Sequence, residues 1–196
     1  MSRIVRAIAV LALAATTACP RWPDAPPPPE ALTRTFDHQK LLAIGQAINE
    51  ARAQKNLPGG VLWIERNGVH FTEAYGKASI EPIHAAAQLD TIYDAASLTK
   101  VIATTPAVMM LHERGKLRLD DAVKKYLPKF TGDERDAITI AHLLTHTSGL
   151  RPDISLKGWD GHAECIAKCV AEKPRAKPGE KFIYSDINFQ LLDEIV

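Results

Sequence analysis

Ser97 and Lys100 stand three residues apart in Ala95-Ala96-Ser97-Leu98-Thr99-Lys100, so on a helix they share one face and their side chains can meet. A serine hydroxyl is a poor nucleophile until a neighbouring base takes its proton. Lysine can be that base only where burial or another cation lowers its pKa, because desolvation disfavours the ammonium. A serine in the first turn of a helix also meets unpaired backbone N–H groups and the positive end of the helix dipole. Taken alone, Ser-x-x-Lys is a weak signal, since a serine N-cap and a solvated lysine are the commoner roles of these residues.

A second set lies in Tyr184-Ser185-Asp186. In an extended segment residues 184 and 186 alternate onto one side. A tyrosine near a lysine can have its phenol pKa lowered and act as acid or base, and a carboxylate beside it can hold the lysine or a substrate. The competing role is a half-buried tyrosine followed by an aspartate that caps the next helix. His142 and His146 have the i, i+4 spacing of a zinc-binding H-E-x-x-H helix, but Leu143 occupies the glutamate position and no third ligand is signalled. A helix end leading into Thr147-Ser148-Gly149-Leu150 accounts for them better, and no metal is expected. The sequence contains no G-x-S-x-G, no G-x-x-x-x-G-K-[ST] and no G-x-G-x-x-G, so it supports neither an α/β-hydrolase elbow nor a nucleotide cofactor.

Several elements must position these groups. Leu98, Val101, Ile102, Val108, Met109 and Leu111 fall at helical spacing, which predicts one long amphipathic helix from Ser97 to a stop at Gly115. Upstream, Leu41, Leu42, Ile44, Ala47, Ile48 and Ala51 predict a helix over 37–54. Asn67-Gly68 between two β-rich runs, 61–66 and 69–75, is a strong hairpin signal. The first run is nearly all apolar, which predicts cover on both faces and a helix-on-sheet layer. Helical patterns then dominate from Ser97 to Val170, with breaks at Gly115, Pro128, Gly132 and Gly149. A final helix begins near Ile187 and carries an apolar stripe with few partners left to cover it. That stripe, and a hairpin too small to form a sheet alone, predict the N-terminal part of a longer domain.

The 196 residues are 46% hydrophobic and 24% charged, with 24 basic against 23 acidic side chains. This is globular composition without a basic block, so nucleic acid is not an expected partner. Arg3 and Arg6 precede an apolar run from Ala7 to Ala15, which reads as a secretory signal over 1–18. Thr16-Thr17-Ala18-Cys19 resembles a lipobox with Thr16 in the leucine position. Either Cys19 is lipidated or plain cleavage follows Ala18, and the lipid is the favoured outcome. A Pro-rich extended tether is expected over 19–36, and the folded domain over 37–196. Cys165 and Cys169, four apart on a predicted helix, read as small buried residues on one face, because a disulfide there needs local distortion.

Taken in order, the motifs resemble those of the β-lactamase-related serine hydrolases: class C β-lactamases, penicillin-binding proteins and β-lactamase-like esterases. The matching stretches are residues 93–100, Gly115-Lys116-Leu117-Arg118-Leu119-Asp120-Asp121 with Tyr126-Leu127-Pro128, residues 138–150, and Pro178-Gly179 with Tyr184-Ser185-Asp186. The resemblance implies an α/β (α+β) fold of the β-lactamase/transpeptidase type, an antiparallel sheet flanked by helices plus a helical region. It implies Ser97 as the acylated nucleophile, Lys100 as its activating partner, Tyr184 in proton transfer, and the Ser97 N–H as half of an oxyanion hole. No cofactor is implied. The partner would be a small-molecule or cell-wall peptide substrate, and the membrane would be met only through Cys19. The location would be beyond the inner membrane, as a periplasmic or membrane-anchored lipoprotein.

Two departures qualify the resemblance. Asp186 replaces the family's asparagine at a substrate-binding position, which tilts the expectation from a true β-lactamase towards an esterase or peptidoglycan-peptide hydrolase. No Lys/His-Thr/Ser-Gly follows Tyr184, so these residues alone are expected to be inactive. The alternatives are a catalytically incomplete module binding cell wall or a partner protein, and a metal-dependent hydrolase using His142 and His146.

Overall fold

In the computed structural model, which describes residues 27–196 apart from Leu156 and Trp159, Asn67-Gly68 closes a tight hairpin. Strand β1 (Gly59–Arg66) pairs antiparallel with β2 (Val69–Ser79) in a register running from Gly59 opposite Gly76 to Arg66 opposite Val69. Asn67 at φ 54° and Gly68 at φ 75° supply the two left-handed residues that match a two-residue turn to strand twist. A short β3 (Ala85–Ala86) adds to β2, giving the order β1-β2-β3. The leader, Cys19 and the tether as far as residue 26 lie outside the described residues.

The chain divides into two units, the first ending at Tyr93 and the second beginning at Asp94. In the first, helix α2 (His38–Ala53) starts where Asp37 accepts the N–H groups of Gln39 and Lys40 at 2.9 and 3.3 Å, satisfying donors left open by the helix start. Residues 29–35 overturn the expected extended tether: they form helix α1 (Pro29–Thr35). Pro29 at its first turn gives up no intrahelical bond there, and Leu32 and Phe36 line an apolar pocket with Leu41 and Phe71. Both helices contact β2, so the helix-on-sheet layer is present. Strand β1 is only half-buried from Gly59 to Ile64, against the expectation of cover on both faces.

In the second unit the predicted long helix is three pieces of different pitch. A 3₁₀ turn (Ala96–Leu98) is followed by a π-helical turn (Lys100–Thr104) and then by α3 (Thr105–Glu113). Pro106 explains the break, because it has no N–H to give the Ile102 carbonyl. The register widens instead, and the Thr105 N–H bonds the Lys100 carbonyl. Of the predicted stripe, Val108 is buried and Leu111 packs against the core, whereas Leu98, Val101 and Ile102 are exposed.

The remaining elements of this unit are α4 (Ile140–Leu144), α5 (Gly161–Ala171) and α6 (Asp186–Ile195). Their core holds Val123, Phe130, Ile138, Ile140, Leu143 and Leu150, all at 0% exposure. The α6 stripe does not want for partners: Ile187, Leu191 and Leu192 are fully buried against α4 and α5. Cys169 is buried on α5 and donates to the Gln190 Oε1 at 2.9 Å, while Cys165 packs against the core beside it. Both are thiols, and burial with the neighbouring Cys165 pushes Cys169 up to about 12. Among the described residues no helix is long and apolar enough to cross a membrane.

The turn after α4 is sterically committed. Gly149 is buried at φ 81°, and a Cβ there would stand 2.1 Å from the Ala176 carbonyl oxygen. Gly149→Ala is expected to cost about 2–3 kcal/mol through backbone strain and this clash. Calorimetry should show a Tm lowered by roughly 4–12 °C; an unchanged Tm would contradict the assignment.

Candidate active site

Ser97 sits just after a strained residue. Asp94 Oδ1 accepts the Ala96 N–H at 2.8 Å, and Ala96 is held at φ 43°, a conformation that costs a non-glycine residue about 1–3 kcal/mol. The turn leaves Ser97 exposed. Lys100, one turn on, donates from Nζ to Ser97 Oγ at 3.3 Å, so the two predicted partners do meet.

Tyr184 and Asp186 reach the same place by a different route. The segment before α6 runs along the turn that follows α4. The Gly179 and Ile183 N–H groups donate to the carbonyls of Thr147 and His146, both at 2.8 Å. Ser185 Oγ and the Asp186 N–H donate to the carbonyls of Arg151 and Pro152, both at 2.7 Å. Ser185 is therefore the N-cap residue of α6 by position, and Asp186 is its first helical residue. Asp186 does not take the expected cap position; its carboxylate pairs with Lys100 Nζ at 2.5 Å. Tyr184 is half-exposed, with its ring centroid 5.1 Å from the same ammonium.

These contacts set the protonation states. Burial alone would lower the Lys100 pKa, but hydrogen bonds with Asp186 and Tyr184, and their charges, hold it above its ordinary value. This is opposite to the direction that a lysine base requires. Hydrogen bonds from Ser97 and Lys100 bring the Tyr184 phenol below its ordinary value of 10.0, with burial and the Asp186 charge opposing. The group shifted towards its unprotonated form, in which it can act as a base, is thus the tyrosine.

His146 was not singled out for this site by the sequence, yet it lies inside it. Its ring stacks on Tyr184 at 4.4 Å between centroids and tilts against Phe189 at 5.2 Å. His142 is placed elsewhere, in a capping box with Thr139 at the start of α4. No group of three or more metal-ligating side chains occurs among the described residues. A cavity of about 360 Å³ lies beside Lys100, between the π turn and α6. A larger one of about 910 Å³ lies against α5 and contains none of the reacting groups.

A family model described as Beta-lactamase matches residues 44–196. Protein flp of Staphylococcus aureus (strain COL) is 33% identical over 172 residues, which cover 83% of this chain and 34% of that protein. The chain thus spans about a third of the length of this curated relative. A crystal structure of a class C beta lactamase has a TM-score of 0.64 at 29% identity, covering 82% of this chain and 44% of that one. The octameric penicillin-binding protein homologue from Pyrococcus abyssi has a TM-score of 0.66 at 30% identity, covering 82% and 38% respectively.

The electrostatics give a signed expectation. Lys100→Ala removes a hydrogen bond and a positive charge, so the Tyr184 phenol should titrate at higher pH. Asp186→Asn removes an opposing negative charge and should shift it lower. Carbon-13 NMR of ring-labelled tyrosine, assigned with Tyr184→Phe, reads both shifts; a common direction in the two variants would refute this charge balance.

Proposed function

The chain belongs to the beta-lactamase family, and we propose that it is a serine hydrolase working through an acyl-enzyme on ester or amide substrates, with cell-wall peptides the favoured class. The observation that carries this reading is that Lys100 Nζ reaches Ser97 Oγ at 3.3 Å and lies 5.1 Å from the centre of the Tyr184 ring, so one ammonium faces both groups. In the proposed sequence the Tyr184 phenolate takes the Ser97 proton as Oγ bonds to the substrate carbonyl carbon. The C–O or C–N bond then breaks, and Tyr184 returns its proton to the leaving alkoxide or amine. Water next gives a proton to Tyr184 and its oxygen to the acyl carbon, and the C–Oγ bond breaks as Ser97 recovers its proton.

Lys100 serves in this scheme as a fixed cation. It favours the phenolate before attack and donates to the nucleophile, a form of electrostatic preorganisation. Asp186 keeps the lysine charged and places a carboxylate where the family carries an amide. An acceptor-only group there favours substrates that present N–H or ammonium donors and disfavours anionic side chains. Similarity to a D-alanyl-D-alanine carboxypeptidase, so named by prediction, from Salmonella schwarzengrund, 30% identical over 184 residues, supports the peptide class. Export and a lipid at Cys19 belong to the same proposal, because they would place the enzyme beside that substrate.

Intact-protein mass after incubation with a fluorophosphonate or a penicillin is the test, made on a chain extended to supply the Lys/His-Thr/Ser-Gly motif that does not follow Tyr184 here. One adduct is expected, absent in Ser97→Ala and formed about 10²–10⁴-fold more slowly in Tyr184→Phe. An adduct that survives Ser97→Ala, or a folded chain that takes none, would reject the acyl-enzyme reading and leave the non-catalytic binding module.

A further inference from the structure

We propose that His146 is a positioning residue that clamps Tyr184 from both sides, its carbonyl accepting the Ile183 N–H and its ring Nδ1 accepting the Ser185 N–H. The two distances are 2.8 and 3.0 Å. The donors flank Tyr184 in the chain, so one residue fixes the backbone before and after the phenol while its ring covers the phenol's face at 4.4 Å. The inference deepens the acyl-transfer proposal and rests on it for the role of Tyr184.

The clamp needs an unusual backbone. His146 adopts φ 57° at the end of α4, a region that non-glycine residues rarely occupy unless the surroundings impose it. That conformation lets the carbonyl and the imidazole engage neighbouring donors of a single extended segment. His146 is 8% exposed as a residue and its ring lies among Phe182, Tyr184 and Phe189, so water is a poor substitute for a lost bond.

The chemistry of the ring makes the clamp dependent on protonation. An Nδ1 that accepts an N–H must be unprotonated, which leaves the neutral imidazole with its hydrogen on Nε2. Protonation converts Nδ1 into a donor facing a donor and opens the Ser185 side of the clamp. The charged groups facing the ring are Lys100 from the π turn and Asp186 from α6, and the titratable group stacked on it is Tyr184. His142, one turn earlier on α4, is engaged with Thr139. Burial and the Lys100 charge hold His146 below its ordinary 6.5, against the pull of Asp186, so the clamp is closed at neutral pH.

Long-range proton–nitrogen NMR of the histidines in the intact chain is the first measurement. It should show His146 neutral at pH 7, with a hydrogen on Nε2 and an unprotonated Nδ1; a hydrogen on Nδ1 would overturn the proposal without any mutation. His146→Ala should return the Tyr184 titration towards 10.0 and slow Ser97 labelling by about 100-fold, the scale of a reacting group displaced by an ångström. His146→Asn tolerates the left-handed backbone and offers Oδ1 to the Ser185 N–H. It should recover most of the labelling rate and lose the loss of activity that His146 protonation produces in acid. An unmoved Tyr184 titration in folded His146→Ala, or an Asn variant no better than Ala, would refute the clamp. Because the tautomer and the tyrosine titration need no turnover, a failure to label Ser97 would reject the acyl-enzyme proposal alone.

Discussion

The Lys100–Asp186 ion pair joins two stretches that are far apart in sequence, the turn bearing Ser97 and the first residue of α6. The Lys100 side chain is 15% exposed, and an ammonium so placed needs a compensating charge and good hydrogen bonds. Asp186 supplies the charge, and the Ser97 oxygen accepts a further hydrogen bond from the ammonium. A neutral residue at 186 would leave the cation costlier to bury and its protonation less secure. The ion pair thus decides which group can lose a proton, and in the proposed reaction that group is Tyr184.

Such a pair is only as well placed as the elements carrying it. On one side, Ala96 is forced into a strained conformation and Pro106 breaks the helical register, so Lys100 lies on a widened turn. On the other side, α6 is anchored by Ile187, Leu191 and Leu192 in the core of its unit. The extended segment before α6 hydrogen-bonds along residues 146–152, and the buried Ser148 hydroxyl donates to Asn188 Oδ1 at 2.6 Å. Apolar burial supplies most of the stability of such an arrangement, and the polar bonds select a single geometry. Here the polar bonds concentrate where the proposed chemistry occurs.

Much of this was legible in the sequence because the relevant signals are local. Asn67-Gly68 dictates its hairpin through two positive φ angles, the 37–54 stripe marks α2, and Ser97 and Lys100 meet because one turn of any tight helix brings them together. The ordered motifs also identified the fold, since each fixes a turn or a helix start with its own steric demand. Local reading failed where a signal had two meanings. Pro29 belongs to a proline-rich run that reads as a tether, yet proline is equally at home in a first helical turn. The stripe from Leu98 to Leu111 has the spacing of one helix, although Pro106 prohibits a regular register across it.

The electrostatic assignment and the place of His146 depend on contacts between distant parts of the chain. Whether Lys100 is a base or a fixed cation depends on which carboxylate lies within contact distance, and Asp186 is 86 residues away in sequence. Whether Asp186 caps a helix or pairs with a lysine depends on how α6 is seated against the rest of its unit. His146 resembled half of a zinc motif in sequence, but its left-handed backbone and its two bonds around Tyr184 exist only once residues 179–186 lie alongside it. Residue types and their local spacing are enough to name the groups capable of chemistry and the turns that present them. Charge state and orientation follow from long-range packing, because a pKa and a rotamer are properties of surroundings.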